Sequence, residues 1–433
     1  MHGIVNSNMA FDIDNQESIL AKCLDADRRQ YLRTPLVSPR LFNWMPYQLN
    51  AQLGTLLRYF ETMASESLTV LGFETSNVLS LVLRMALSVQ TPATAAVLQS
   101  IFALSALHRD GPNEQSAHLK VRALGALASS ATGDINSIAA AQHVVCGLLL
   151  CTFELQKNAG TSYHWLWYVC GAKHLIKTHV LDGPGLGSDL NLVVGWAQYY
   201  EVMARFGLRH WRRENTAEFA FAEYAGHHAA LPPVCARDHI VAELNNPPTA
   251  MLDLLREVID IAEAHTPSHC SSSGYGEYAL ELESKLKETY RTLREQQLAV
   301  SEDQKAVVAF GLSVLLYLWR LTDTSRNITS TKVASLIDEA FGYLSELDAL
   351  RYPLPMLLLG CEARTDNQRR IILELISRTE RISSTQAMSY VKGMTRSAWV
   401  QEDLRRDGSA ARVGYMEMLN ALISSCKRLP TFI

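Results

Sequence analysis

Two groups of side chains in this 433-residue sequence have the types and spacing to do chemistry. The first is aromatic. His164, Trp165 and Tyr168 share a face of the helical segment YHWLWYVCGAKHLI (163–176), and Trp196, Tyr199, Tyr200 and Met203 share one in NLVVGWAQYYEVMARFGLRHW (191–211). Buried Trp and Tyr need a polar partner for their N–H and O–H, and an apolar wall with a few polar tips suits a hydrophobic small molecule. Packing inside a large helical domain explains the same residues without a ligand and ranks first. The second group is acidic: Glu402, Asp403 and Asp407 in QEDLRRDG (401–408). Carboxylates one helical turn apart face the same way and can hold magnesium against a diphosphate. Arg405 and Arg406 stand among them, so ion pairing on a solvated helix face is the plainer expectation.

Other chemistry is scarce. No phosphate-loop, dinucleotide, nucleophile-elbow or H-E-x-x-H pattern occurs. Gly183, Gly185 and Gly187 read as a plain loop, because no strand precedes them and Pro184 removes an N–H donor. Adjacent His227 and His228, and His265 and His269 with Pro267 between them, do not make a metal-ligand set. The eight cysteines lie at 23, 146, 151, 170, 235, 270, 361 and 426, with no C-x-x-C spacing. Cys146 and Cys151 sit on an apolar run and read as small core residues. No signal peptide is expected from the first residues, so the sequon at Asn327 is expected to stay unused.

Composition bounds the class. With 48% apolar and 19% charged residues the chain can bury enough surface to fold, which excludes intrinsic disorder. A net charge of −4 without a basic stripe argues against autonomous nucleic-acid binding. Uncharged runs such as Val307 to Trp319 fall short of the roughly 18 residues of a membrane span, and Arg320 at the end of that run suits a buried helix reaching the surface. A soluble protein is expected.

The elements that must position these residues read as helices. Residues 1–45 form a polar arm, and one helical domain runs from 46 to 433 with a flexible loop at about 268–276. Leu53, Leu56, Leu57 and Phe60 recur at helical spacing, and NVLSLVLRMALSV (77–89) is apolar nearly all round. Thr91 reads as an N-cap with Pro92 in the first turn, and another helix starts near Asn113. No period-2 run is long enough for a strand. The fold class is all-α, a single large array of antiparallel helix pairs.

Several stretches together resemble a known family. They are LLRYF (56–60), SALH (105–108), WLWYVCGAKHLI (165–176), PPTAMLDLLREVIDIA (247–262), ELESKL (281–286), YPLPMLLLGCEARTDNQRR (352–370) and AWVQEDLRRDG (398–408). In this order they resemble the fungal-specific transcription factor domain from about residue 46 onward. Tyr168 departs from the family pattern, which usually has His there. The resemblance implies that a proline before the G-C-E-A turn closes a helix pair and packs it on the tryptophan-bearing helix. It also implies an N-terminal zinc binuclear cluster of six cysteines, yet the first 140 residues hold only Cys23. The leading expectation is therefore a nuclear regulator or co-regulator of a fungal metabolic or biosynthetic pathway. It would act without direct DNA contact or a membrane, need no cofactor, work through a protein partner or as a homo-oligomer, and could hold a hydrophobic ligand.

The alternative is a cytoplasmic, magnesium-dependent sesquiterpene cyclase acting on farnesyl diphosphate, since humulene-type cyclases of fungal secondary metabolism resemble the same domain. Glu402, Asp403 and Asp407 would hold Mg²⁺, with Arg405, Arg406 or Lys392 on the diphosphate, although no D-D-x-x-D motif is present. A third expectation is a zinc-cluster exon lying upstream of this reading frame.

Overall fold

Thr91 and Asn113 start helices because their side chains can take up N–H groups that the first helical turn leaves free. In the computed structural model Thr91 Oγ1 accepts from Thr94 N at 3.2 Å and Asn113 Oδ1 from Ser116 N at 2.8 Å. Pro92 follows Thr91 in the first turn, where its missing N–H costs nothing. Asn136 and Thr365 cap two further helices in the same manner. The structure describes residues 51–88, 90–132, 135–157, 164–180, 189–211, 247–264, 274–295, 302–322, 331–383, 386–407, 413–426 and 428–433. The N-terminal arm, the Gly183–Gly187 loop, the histidines at 227, 228, 265 and 269, Asn327, and residues 268–273 lie outside them. Gly274 to Gly276, read from sequence as loop, already belong to a helix.

Among the described residues there are fifteen α-helices and no strand, only an isolated bridge between Val70 and Phe73. They are α1 (Ala51–Thr62), α2 (Thr75–Leu87), α3 (Pro92–Asp110), α4 (Glu114–Ser130) and α5 (Ser137–Gln156). Next come α6 (His164–Leu175), continued by a wider turn to Val180, then α7 (Asp189–His210), α8 (Pro247–Ala264), α9 (Gly274–Glu295) and α10 (Glu302–Thr322). The last five are α11 (Thr331–Ser345), α12 (Pro353–Gly360), α13 (Asp366–Ile382), α14 (Gln386–Arg406) and α15 (Tyr415–Ser424). The fold is all-α, and short connections make sequence neighbours such as α3 and α4 pack side by side.

The core sits around α3, α5, α7 and α10, which are buried on nearly every side. By length and composition, α5 and α10 could each cross a membrane; within this fold 83% of each apolar window is buried by the protein's own helices. The uncharged stretch around α5, residues 135–153, is longer than the run at 307–319 that stood out in the sequence. Its central glycine and cysteines pack as core.

Two details correct the sequence reading. Arg320 does not lead its helix to the surface: its side chain is only 5% exposed, held by Glu362 at 2.6 Å. The proline helix α12 packs chiefly on α10 and on α14, whose tryptophan is Trp399, rather than on the helix of Trp165. Trp399 Nε1 donates to Gly360 O at 2.8 Å. A side chain at Gly360 would lie 2.6 Å from Thr395 Cγ2, so glycine there lets the two helices approach.

Candidate functional site

The two aromatic groups lie on α6 and α7, which pack against each other. Trp165 is buried, while His164 and Tyr168 are half-buried. Trp196, Tyr199 and Tyr200 are wholly enclosed, with no surface a water-sized sphere can touch. Tyr200 meets Trp196 and Tyr199 edge-on, both at 6.1 Å between centroids, an arrangement favoured by the ring quadrupoles. The hydroxyls are also engaged. Tyr200 OH and Thr152 Oγ1 lie 2.9 Å apart, and Tyr199 OH donates to the Phe432 carbonyl at 3.3 Å. Burial pushes both phenols well above their ordinary pKa, so they stay protonated. The Tyr199 bond ties the segment around Phe432 to the core.

The acidic group has a different setting. On α14, Glu402 is held by Arg405 at 2.5 Å and by Arg406 at 3.4 Å. Asp403 points to Arg369 on α13, which grips it through both terminal nitrogens at 2.8 and 2.7 Å. The Arg405 and Arg369 hydrogen bonds are the main reason that Glu402 and Asp403 lie below their ordinary pKa values. Lys392 turns to Glu380. Asp407 is exposed at the end of the helix. Adjacent residues 402 and 403 project about 100° apart around a helix, and each serves its own arginine, so these carboxylates do not converge as a magnesium site would require.

Sequence reasoning missed a set of buried ions. Lys120–Glu154 (2.7 Å), Lys173–Glu201 (2.9 Å) and Arg320–Glu362 are each almost fully shielded from water. Along α7, Gln198 donates to Asp253 and Arg205 to Asp260, each at 2.6 Å and each 55 residues onward in α8. A constant offset means that α7 and α8 run parallel, which needs the long connection between them. The polar contacts repeat every seven residues and fix one register, a use for which buried polar groups are well suited. The only sequence signal was a charge inside each apolar run, such as Glu201 in YYEVM.

A cleft of about 120 Å³ opens elsewhere, walled by residues 68–75, the first turn of α10, the 348–352 loop and Ile382. Its shape depends on the turn at Gly72, where φ is +78° and Pro248 packs against the backbone too closely for any side chain. Gly72 N donates to Tyr352 OH at 3.3 Å.

Comparison with known proteins defines the class. Residues 55–422 match the fungal specific transcription factor domain, and the chain belongs to this family. It is a transcriptional regulator. Among curated proteins it is similar to transcription factor iacI of Pestalotiopsis fici, with 29% identity over 397 residues. That match covers 90% of this chain and 98% of the relative. No solved structure matches. The residues before the family match contain Cys23 alone, so no six-cysteine cluster precedes the domain in this sequence.

Proposed function

We propose that this chain regulates transcription from the nucleus without gripping DNA through a zinc cluster of its own, and that it controls a metabolic or biosynthetic gene set through a protein partner. The observation that carries the reading is the pairing of a family match over 55–422 with a single cysteine in the first 140 residues. Six thiolates in about forty residues are what a binuclear zinc cluster needs to present its helix to DNA. A formal charge of −4 adds no basic face to replace it. The likeness to iacI, which is itself named a transcription factor and is matched over nearly all of its length, supports a role in regulation. The aromatic centre and buried ion pairs suit a stiff scaffold that presents its outer helices to a partner.

Deleting the gene in its own fungus and profiling transcripts tests this. A restricted set of biosynthetic or metabolic genes is expected to change, with a fluorescent fusion concentrated in nuclei. An unchanged transcript profile under conditions in which the gene is expressed would refute it.

A further inference from the structure

The outer face of α14 carries apolar surface and charge that the rest of the protein does not use. Val400 and Leu404 stand on it with 58% and 46% of their surface exposed. Among the described residues no other two exposed large hydrophobic side chains lie one turn apart on a helix, so this pair makes a patch where the others stand singly. Arg396 precedes the pair and Asp407 follows it. Both are exposed, and neither side chain makes an ion pair or hydrogen bond among the described residues. Their neighbours differ: Lys392, Glu402 and Asp403 are each held by a partner within the chain. Asp407 also stands just past the C-terminal end of α14, where the helix dipole disfavours a negative charge.

Spacing decides what covers this face. At about 100° per residue, Arg396 and Asp407 project within about 20° of each other, and Val400 and Leu404 lie about 40° and 80° round from Arg396. The four form one stripe, positive toward the helix start, apolar in the middle and negative at the end. Such a stripe is complementary to itself when reversed. We propose that two copies of the chain pair through α14, antiparallel across a two-fold axis. In that arrangement the same flank of each helix meets. Setting Arg396 against Asp407 of the second copy then brings Val400 against Leu404 of the second copy to within one residue, and symmetry makes each contact twice. A parallel pairing would instead bring like charges to the same level. The overlap is about three turns, or about 16 Å, so the pairing is weak and reversible rather than permanent. It needs neither a zinc cluster nor DNA, and so stands or falls apart from the regulatory reading.

Sedimentation velocity of the full chain, over a concentration series reaching about 200 µM, tests this. A monomer–dimer equilibrium with a Kd of about 50 µM or tighter is expected. Arg396→Asp and Asp407→Arg are each expected to weaken self-association about tenfold, because every opposed pair becomes a pair of like charges. An equimolar mixture of these two variants is expected to recover the dimer, since each then offers the charge the other lacks. A merely structural role for either residue would not produce that recovery. A chain still monomeric at the top of the series would give the face to a different protein and overturn the proposal. So would undiminished self-association by either single variant, or a mixture that stays monomeric. Should a charge reversal disturb the end of the helix, Leu404→Ser on the open face decides in its place: several-fold weaker association is expected, and unchanged association would overturn the pairing.

Discussion

Glu362→Ala is expected to destabilise the protein by about 3–5 kcal/mol, because it leaves the Arg320 guanidinium buried with no carboxylate to balance it. Glu362 takes both branches of Arg320, at 2.6 and 2.9 Å, and the two side chains are 4% and 5% exposed. Arg364 also reaches this carboxylate, at 3.5 Å from a more exposed position, but as a second cation it cannot balance Arg320. The Tyr415 ring lies 5.7 Å from the Arg320 guanidinium and adds a cation–π contact too weak to replace a full negative charge. Replacing both partners by apolar residues, Arg320→Met with Glu362→Leu, is expected to recover most of the loss, since no ion then remains to be desolvated. Glu281→Ala, which breaks the exposed pair with Lys285, is expected to cost less than about 1 kcal/mol. Urea unfolding of the three variants measures all of this. A Glu362→Ala loss no larger than that of Glu281→Ala would show that the buried pair does not hold α10 to the G-C-E-A turn.

Acid is expected to weaken the fold above the range in which carboxylates titrate. His210 is wholly buried between α7, α10 and α15, with Nε2 2.8 Å from Tyr317 OH and Nδ1 2.6 Å from Asn420 Oδ1. Burial is the main reason its pKa is pushed down to about 3; the Asn420 contact opposes this and Arg209 adds to it. Burial likewise takes His143, beside Ser130, down to about 4, with a smaller contribution from His179. Both have an ordinary value of 6.5, so between pH 6.5 and those folded values the unfolded chain binds protons that the folded one refuses. Stability is thus complete above pH 6.5 and falls as the pH drops. At pH 5 each histidine removes about 2 kcal/mol, or about 4 together, from 1.36 kcal/mol per pH unit. His108 acts in the same direction. Unfolding free energies at pH 8, 6.5 and 5 should show this slope, with about half of it gone in His210→Gln. A flat profile from pH 6.5 to 5 would contradict the neutral, buried state of both rings.

What was legible in the sequence was whatever depends on neighbours along the chain. The Thr91–Pro92 start, the Asn113 cap and the apolar run of α5 follow from local chemistry, and the all-α class follows from their repetition. Placing Arg320 failed because its partner lies 42 residues away in a turn, and nothing near Trp319 announces Glu362. The role of Tyr199 depends on the Phe432 carbonyl 233 residues on, where an extended tail with no helical spacing enters the core. The cleft joins residues near 70, 303 and 350, which no single window of sequence contains. The arginines between Glu402 and Asp407 were the better signal on α14, because oppositely charged side chains three and four apart do meet on a helix.

The central claim is that a regulator's helical domain works here without its own zinc-cluster grip on DNA. Fluorescence anisotropy of the purified chain at physiological salt tests it most directly. The DNA would be promoter fragments of the genes that respond to its deletion, measured against scrambled fragments of equal length. The account predicts weak, salt-sensitive binding that favours neither set by more than about tenfold. A preference for the promoters of about a thousandfold or more, the mark of a sequence-specific protein, would contradict it.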